Sequence, residues 1–206
     1  MRLLILGILI GLLAGVLCSA VFLQRRAHWL MQYQFEIISP PVPALVLKAV
    51  RDAEARFYSD AGVLSAAKEH VQDALVFASP GLVYRLNFSV GRYRVKAQTI
   101  EKILPWAIQN GYLKLEGDTH HLARSAIAYF AEQPAMSDWQ AAILLEWLRN
   151  DHPQLKQKSW EEVSANPQLV AKLYSGYMGA GGAWDQWRST LTPGPEARRR
   201  MGLAGS

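Results

Sequence analysis

The chain has 206 residues, 50% of them hydrophobic and 19% charged. That balance excludes an intrinsically disordered chain, because there is ample apolar surface to offset the entropy of ordering. The net charge of +5 is spread thinly apart from "EARRR" at 196–200, so no basic stripe with interleaved aromatics marks a nucleic-acid face. A single cysteine, Cys18, excludes disulfides within the chain and cysteine-based metal sites.

In chain order, the first feature is the uncharged run "LLILGILIGLLAGVLCSAVFL" at 3–23. At about 1.5 Å per helical residue it is long enough to cross a hydrocarbon core of about 30 Å. It outruns the apolar region of a cleaved leader and continues past the small-residue site at 18–20, which favours an uncleaved anchor over residues 1–26. Leu17 before Cys18 argues against a lipoprotein signal. Arg25 and Arg26 outnumber Arg2 across the run, so the positive-inside rule alone places the body in the cytoplasm.

A linker over 27–42 leads to "SPPVP" at 39–43, where prolines end the preceding segment and open a helix. Apolar positions Leu45, Leu47, Val50, Ala53 and Phe57 recur at helical spacing, which predicts a helix over 43–57. Further helices are predicted over 64–78, 93–110, 119–131, 138–149 and 167–178. Ser137 is read as the cap of one, and Asn166 followed by Pro167 as the start of another. The strand-like runs are "LVYRLNFSV" and "GYLKLEG". The body, 43–190, therefore reads as one mainly α domain, with a loosely packed, Pro- and Gly-rich tail over 191–206.

Glu54 lies at the edge of the first helix's apolar stripe. Two readings are open on spacing alone. It is a boundary charge paired with Arg51 one turn earlier, or a partly desolvated carboxylate whose pKa moves toward that of a general base. Among other constellations, the adjacent His120 and His121 point about 100° apart on a helix and do not converge on a metal. The glycines of "YSGYMGAGGAWDQW" follow a helix instead of preceding one, which suits a turn leading to a packed Trp184/Trp187 pair better than a phosphate loop. Trp139 and Trp147 are read as core, and Trp106 and Trp184 as the better candidates for a sugar groove.

Two stretches carry a resemblance. "PALVLKAVRDAEARFYSDAGV" resembles the first motif of the peptidoglycan glycosyltransferases of glycosyltransferase family 51, the transglycosylase domains of bifunctional penicillin-binding proteins and the monofunctional biosynthetic transglycosylases. That motif is a Pro-led helix, then Glu-Asp, two residues, Phe, two residues, His, one residue and Gly. Glu54, Phe57 and Gly62 carry the likeness, with Ala55 read in place of the Asp and Asp60 in place of the His. "ARSAIAYFAEQPAMSDWQAAILLEWL" at 123–148 resembles a second block of the family, through Tyr129, Phe130, Ser137, Ala141, Ala142 and Leu144, and the two occur in the family's order.

The resemblance implies a lysozyme-like transglycosylase domain behind a membrane anchor, on the periplasmic or extracellular side of a bacterial inner membrane, against the orientation drawn from charge. It implies a substrate, lipid-linked disaccharide-peptide precursor, and cell-wall synthesis proteins as partners. In that chemistry a base removes the proton of an acceptor hydroxyl while cations or a divalent ion, Mg²⁺ or Mn²⁺, neutralise a departing polyprenyl pyrophosphate. Glu54 corresponds to the base, Phe57 lies beside it, Arg92, Arg94 and Lys96 of "GRYRVK" are the diphosphate candidates, and Glu101 is the closest second acid, with Glu116 a further option. The chain departs from the family in lacking a block that includes much of the membrane-touching jaw. Two alternatives accompany this reading: a non-catalytic relative that binds cell-wall glycan or a synthesis partner, and a muramidase-type hydrolase, which needs two carboxylates flanking a groove.

Overall fold

A computed structural model describes residues 35–60, 62–115, 134–179 and 184–203. The proposed anchor over 1–26, the helix expected over 119–131, His120, His121 and Glu116 lie outside the described residues. Among those described, no helix is long and apolar enough to cross a membrane.

The domain is mainly helical. Strand β1 (Phe35–Ile37) precedes the proline segment. Helices α1 (Ala44–Asp60), α2 (Val63–Ala78) and α3 (Pro80–Arg85) follow, and then the short strands β2 (Ser89–Val90) and β3 (Val95–Lys96). Next come α4 (Ala97–Gln109), β4 (Leu113–Leu115), α5 (Pro134–Asp151), α6 (Trp160–Ala165), α7 (Pro167–Tyr177), α8 (Trp184–Ser189) and α9 (Pro195–Arg200). β1 pairs antiparallel with β4, Glu36 opposite Lys114, and β2 pairs antiparallel with β3.

Helix α5 is the hub. Ala141, Ile143, Leu145 and Leu148 are fully buried, and α5 packs against α1, α4 and α7. A helix apolar on nearly every face belongs inside the domain, where its neighbours can cover it. The Trp139 indole donates to the carbonyls of Ile38 and Tyr112, pinning α5 to the loops beside the β1/β4 ribbon. Glu146, also on α5, is buried and accepts hydrogen bonds from Arg149, Asn150 and the Trp160 indole, so its charge is fully served.

Local chemistry explains the element ends. Helix α1 starts where Pro43 offers its carbonyl to the amides of Val46 and Leu47, and Val46, Val50, Ala53 and Glu54 share its buried face. Helix α6 opens with a reciprocal capping box, Ser159 to the Glu162 amide and Glu162 back to the Ser159 amide. The Asn166 side chain caps α7 through the Gln168 amide, with Pro167 in the first turn, as read from the sequence.

Several expectations are corrected. Ser137 is not a cap: α5 begins earlier, at Pro134, and Ser137 is buried within it. "LVYRLNFSV" is not one strand: its first four residues complete a short helix that starts at Pro80, and only its last two residues pair as β2. The helix expected from 93 starts at Ala97. Gly91 (φ 72°) and Arg94 (φ 51°) adopt left-handed backbone in the β2–β3 turn, which no continuing helix tolerates. Residues of the expected linker form β1, and those of the expected loose tail form α9, whose Ala197 is fully buried against a domain that it joins through α1 and α7.

Candidate functional site

Glu54 stands on the wall of a cavity of about 530 Å³ between α1, α4, α5, the end of α7 and the β2–β3 hairpin. It is only 5% exposed. The Tyr174 hydroxyl from α7 donates to its Oε1 over 2.7 Å, and the Arg200 guanidinium from α9 lies 3.9 Å away. Arg200 also stacks 3.5 Å over the Phe57 ring and is held from behind by Glu196. The carboxylate is therefore sheltered from water yet served by a donor and a cation. Burial raises the Tyr174 pKa well above the ordinary phenol range, and the charge of Glu54 adds to that, so Tyr174 stays a donor. Arg200 holds its proton more tightly than usual: burial opposes the charge, but Glu196, Tyr174 and Glu54 outweigh it.

The rest of the wall divides by chemistry. Arg94, Lys96 and Lys102 bring positive charge, Thr99 and Asn87 bring neutral polar groups, and Trp147, Tyr177 and Trp184 bring ring surface. Arg94 is committed, with Nη1 at 2.6 Å and Nη2 at 3.1 Å from the two oxygens of Asp73. Lys96 and Lys102 are exposed and make no ion pair among the described residues. The Trp147 and Trp184 rings meet edge to face at 6.1 Å, and Trp184 continues to Trp187 at 5.5 Å. The Tyr177 hydroxyl donates to the Tyr93 carbonyl at 2.6 Å, tying the end of α7 to the hairpin that carries Arg94 and Lys96.

The structure thus brings Glu54, Phe57, Arg94 and Lys96 to one cavity and leaves two expected residues outside its wall. Arg92 faces the other way, 3.6 Å from Asp138, because the turn that aims Arg94 inward turns its neighbour out. Glu101 accepts a hydrogen bond from the Tyr84 hydroxyl on α3. Glu54 is the one carboxylate on this wall among the described residues. No cluster of three or more His, Cys, Asp or Glu side chains assembles among them, so the described wall does not fit Mg²⁺ or Mn²⁺. Trp106 packs on Tyr112 at 5.6 Å and is not part of the wall, whereas Trp184 is.

The register of the motif also bears on Glu54. With Phe57, Asp60 and Gly62 aligned to the Phe, His and Gly, counting back places Ala53 where the family's Glu stands and Glu54 where its Asp stands. Glu54 is thus one residue off the base position, and Ala53 is buried.

Sequence reasoning missed Tyr174, Arg200, Lys102 and Trp147. Tyr174 and Glu54 are 120 residues apart, and no local pattern encodes such a pairing. For Arg200 the signal was the "EARRR" cluster, whose last residue turns inward while Arg199 stays exposed on Glu196.

Fold and site together define a mainly helical domain with a cationic, aromatic-lined cavity built around one buried carboxylate. The chain matches no protein-family model, no curated protein and no solved structure.

Proposed function

We propose that this protein is a membrane-anchored, peptidoglycan glycosyltransferase-like protein of lysozyme-like type that binds lipid-linked disaccharide-peptide precursor, or the glycan made from it, in the Glu54 cavity. The observation that carries this reading is the pairing of two uncommitted cations, Lys96 and Lys102, with the Trp147, Tyr177 and Trp184 rings on one wall. A sugar pyrophosphate needs both. Ammonium groups recognise its charge, and ring faces cover the apolar faces of its sugars. The apolar run at 3–23 supports a ligand at a membrane, and the two motif resemblances favour its outer side against the orientation drawn from charge.

A second reading, polymerisation of the precursor by transfer with inversion, is favoured by the position of Glu54. A sheltered carboxylate on the same cavity wall as the cations is where an acceptor hydroxyl would give up its proton, while Lys96 and Lys102 would neutralise the departing pyrophosphate. The Tyr174 hydrogen bond, the Arg200 contact and the register of the motif weigh toward binding without turnover. Hydrolysis of the muramidase type is disfavoured among the described residues, because a second acid does not face Glu54 across the cavity.

The experiment is a titration of the full chain, in detergent micelles, with lipid-linked precursor, alongside Lys96→Ala/Lys102→Ala and Glu54→Gln. Binding by the wild type that weakens at least about tenfold in the double variant supports the reading. Equal binding by both contradicts it.

A further inference from the structure

A second cavity, of about 710 Å³, lies on the other side of α7, between that helix, α8 and the segment leading into α9. Its wall holds Lys172, which is only 2% exposed. Lysine at that depth is normally paired with a carboxylate, since an isolated ammonium is costly to bury. Among the described residues Lys172 makes no ion pair, and its ammonium lies over the Trp187 ring, 5.5 Å from the centroid. Burial accordingly pushes its pKa down to about 8.

Arg198 lines the same cavity, and its Nε is buried without a hydrogen-bond partner. Arg200 is the third cation on this wall. The one carboxylate there, Glu196, is engaged by Arg199 and Arg200, at 2.8 Å and 2.7 Å. The buried Lys172 ammonium and the buried Nε of the partly exposed Arg198 therefore line a sizeable space, and neither is paired with a carboxylate among the described residues. Trp187, Met178, Pro193 and Ala197 supply apolar surface beside them.

From this arrangement we infer that the cavity is a binding site for a small organic oxyanion, a phosphate monoester or carboxylate with an apolar body, whose charged end is held by Lys172 and Arg198. A phosphate between an ammonium and a guanidinium Nε–H would satisfy both orphaned donors at once. Charge-assisted bonds of this kind are about twice as strong as neutral ones. The site differs from the Glu54 cavity in its cations: Lys172 and Arg198 line only this cavity and Lys96 and Lys102 only that one, while Met178 and Arg200 border both. The inference does not depend on the glycan reading.

The test titrates inorganic phosphate into the full chain in neutral detergent, at constant ionic strength set with chloride, and follows the thermal midpoint. The same titration is run on Lys172→Met, Arg198→Gln and Lys96→Ala/Lys102→Ala. The expected result is a saturable phosphate-dependent rise in the midpoint, with apparent affinity at least tenfold weaker in Lys172→Met and in Arg198→Gln, and a saturable rise that persists in the Lys96→Ala/Lys102→Ala variant. A parallel arm with vesicles containing phosphatidic acid separates a lipid headgroup from a free phosphate as the source of the oxyanion. No specific response to either probe, or a response lost with Lys96 and Lys102 but kept without Lys172, overturns the inference. Arg198→Gln keeps the test decisive if the buried Met substitution fails to fold.

Discussion

Tyr174 reaches across from α7 and donates its hydroxyl to Glu54 on α1, at 2.7 Å and with both residues buried. One hydrogen bond thereby joins the first helix of the domain to the helix that walls both cavities, and it fixes which way the carboxylate points. Glu54→Gln keeps an acceptor for Tyr174, whereas Glu54→Ala leaves the phenol and the Arg200 guanidinium without it. The expected cost is about 2–3 kcal/mol for Ala and less than half of that for Gln, measured by urea unfolding. Equal losses for the two variants would show that the hydroxyl contact contributes little.

Gly176 lies where α7 passes closest to Trp187 and α5. A Cβ there would stand 2.7 Å from Trp187 Cε2 and Cζ2 and 2.9 Å from Leu148 Cδ2, and both neighbours are buried, bulky side chains that would have to shift. Gly176→Ala should destabilise the fold by about 1–3 kcal/mol, despite the better helix propensity of alanine. A denaturant midpoint at or above that of the wild type would contradict this packing.

Glu146 sets part of the acid limit of stability. Burial opposes its charge, but Arg149, Asn150 and the Trp160 indole outweigh that and hold its pKa below the ordinary value of 4.5. With the native value depressed, the stabilisation is fully present above the unfolded value and is lost as pH falls through the native one. Glu146→Gln should therefore flatten the decline in stability below about pH 4.5, and Glu146→Ala should cost about 1–3 kcal/mol at neutral pH by leaving the partly buried Arg149 and the Trp160 indole without their acceptor. Unfolding curves across pH 3–7 for the three proteins provide the check.

Lys172 acts in the opposite range. Its native pKa is about 8 against an ordinary value of 10.5, so between those values the unfolded chain binds more protons than the native one. Stability from this group must then rise with pH across that interval, by at most about 3 kcal/mol. His152, Glu196, Arg198 and Arg200 face the same region, so the comparison that isolates Lys172 is with Lys172→Met. The variant should lose the alkaline rise and be more stable than the wild type at pH 7. The same slope in both proteins would assign the rise elsewhere.

What the sequence disclosed follows the range of the interactions concerned. The buried stripe of α1, the Asn166 cap and the packed Trp184/Trp187 pair are encoded within a few residues of themselves, and periodicity or spacing exposed them. The start of α5 was misplaced at Ser137, because a good capping residue can equally sit buried inside a helix when tertiary contacts extend that helix backward. At the site, Arg94 and Lys96 were legible as a basic cluster. The alternation that turns Arg92 out depends on a left-handed residue at a non-glycine position, which composition does not announce. Tyr174 and Lys102 were invisible because the cavity is assembled from elements distant in the chain, and the "EARRR" cluster did not say which of its arginines turns inward.

The central claim is that the Glu54 cavity holds a sugar pyrophosphate through Lys96 and Lys102. The most direct measurement is the dissociation constant of lipid-linked disaccharide-peptide precursor for the full chain in micelles, wild type against Lys96→Ala/Lys102→Ala. The account predicts saturable binding that weakens at least about tenfold without the two lysines and weakens further with added salt. No binding by the wild type, or the same affinity in both proteins, would contradict it.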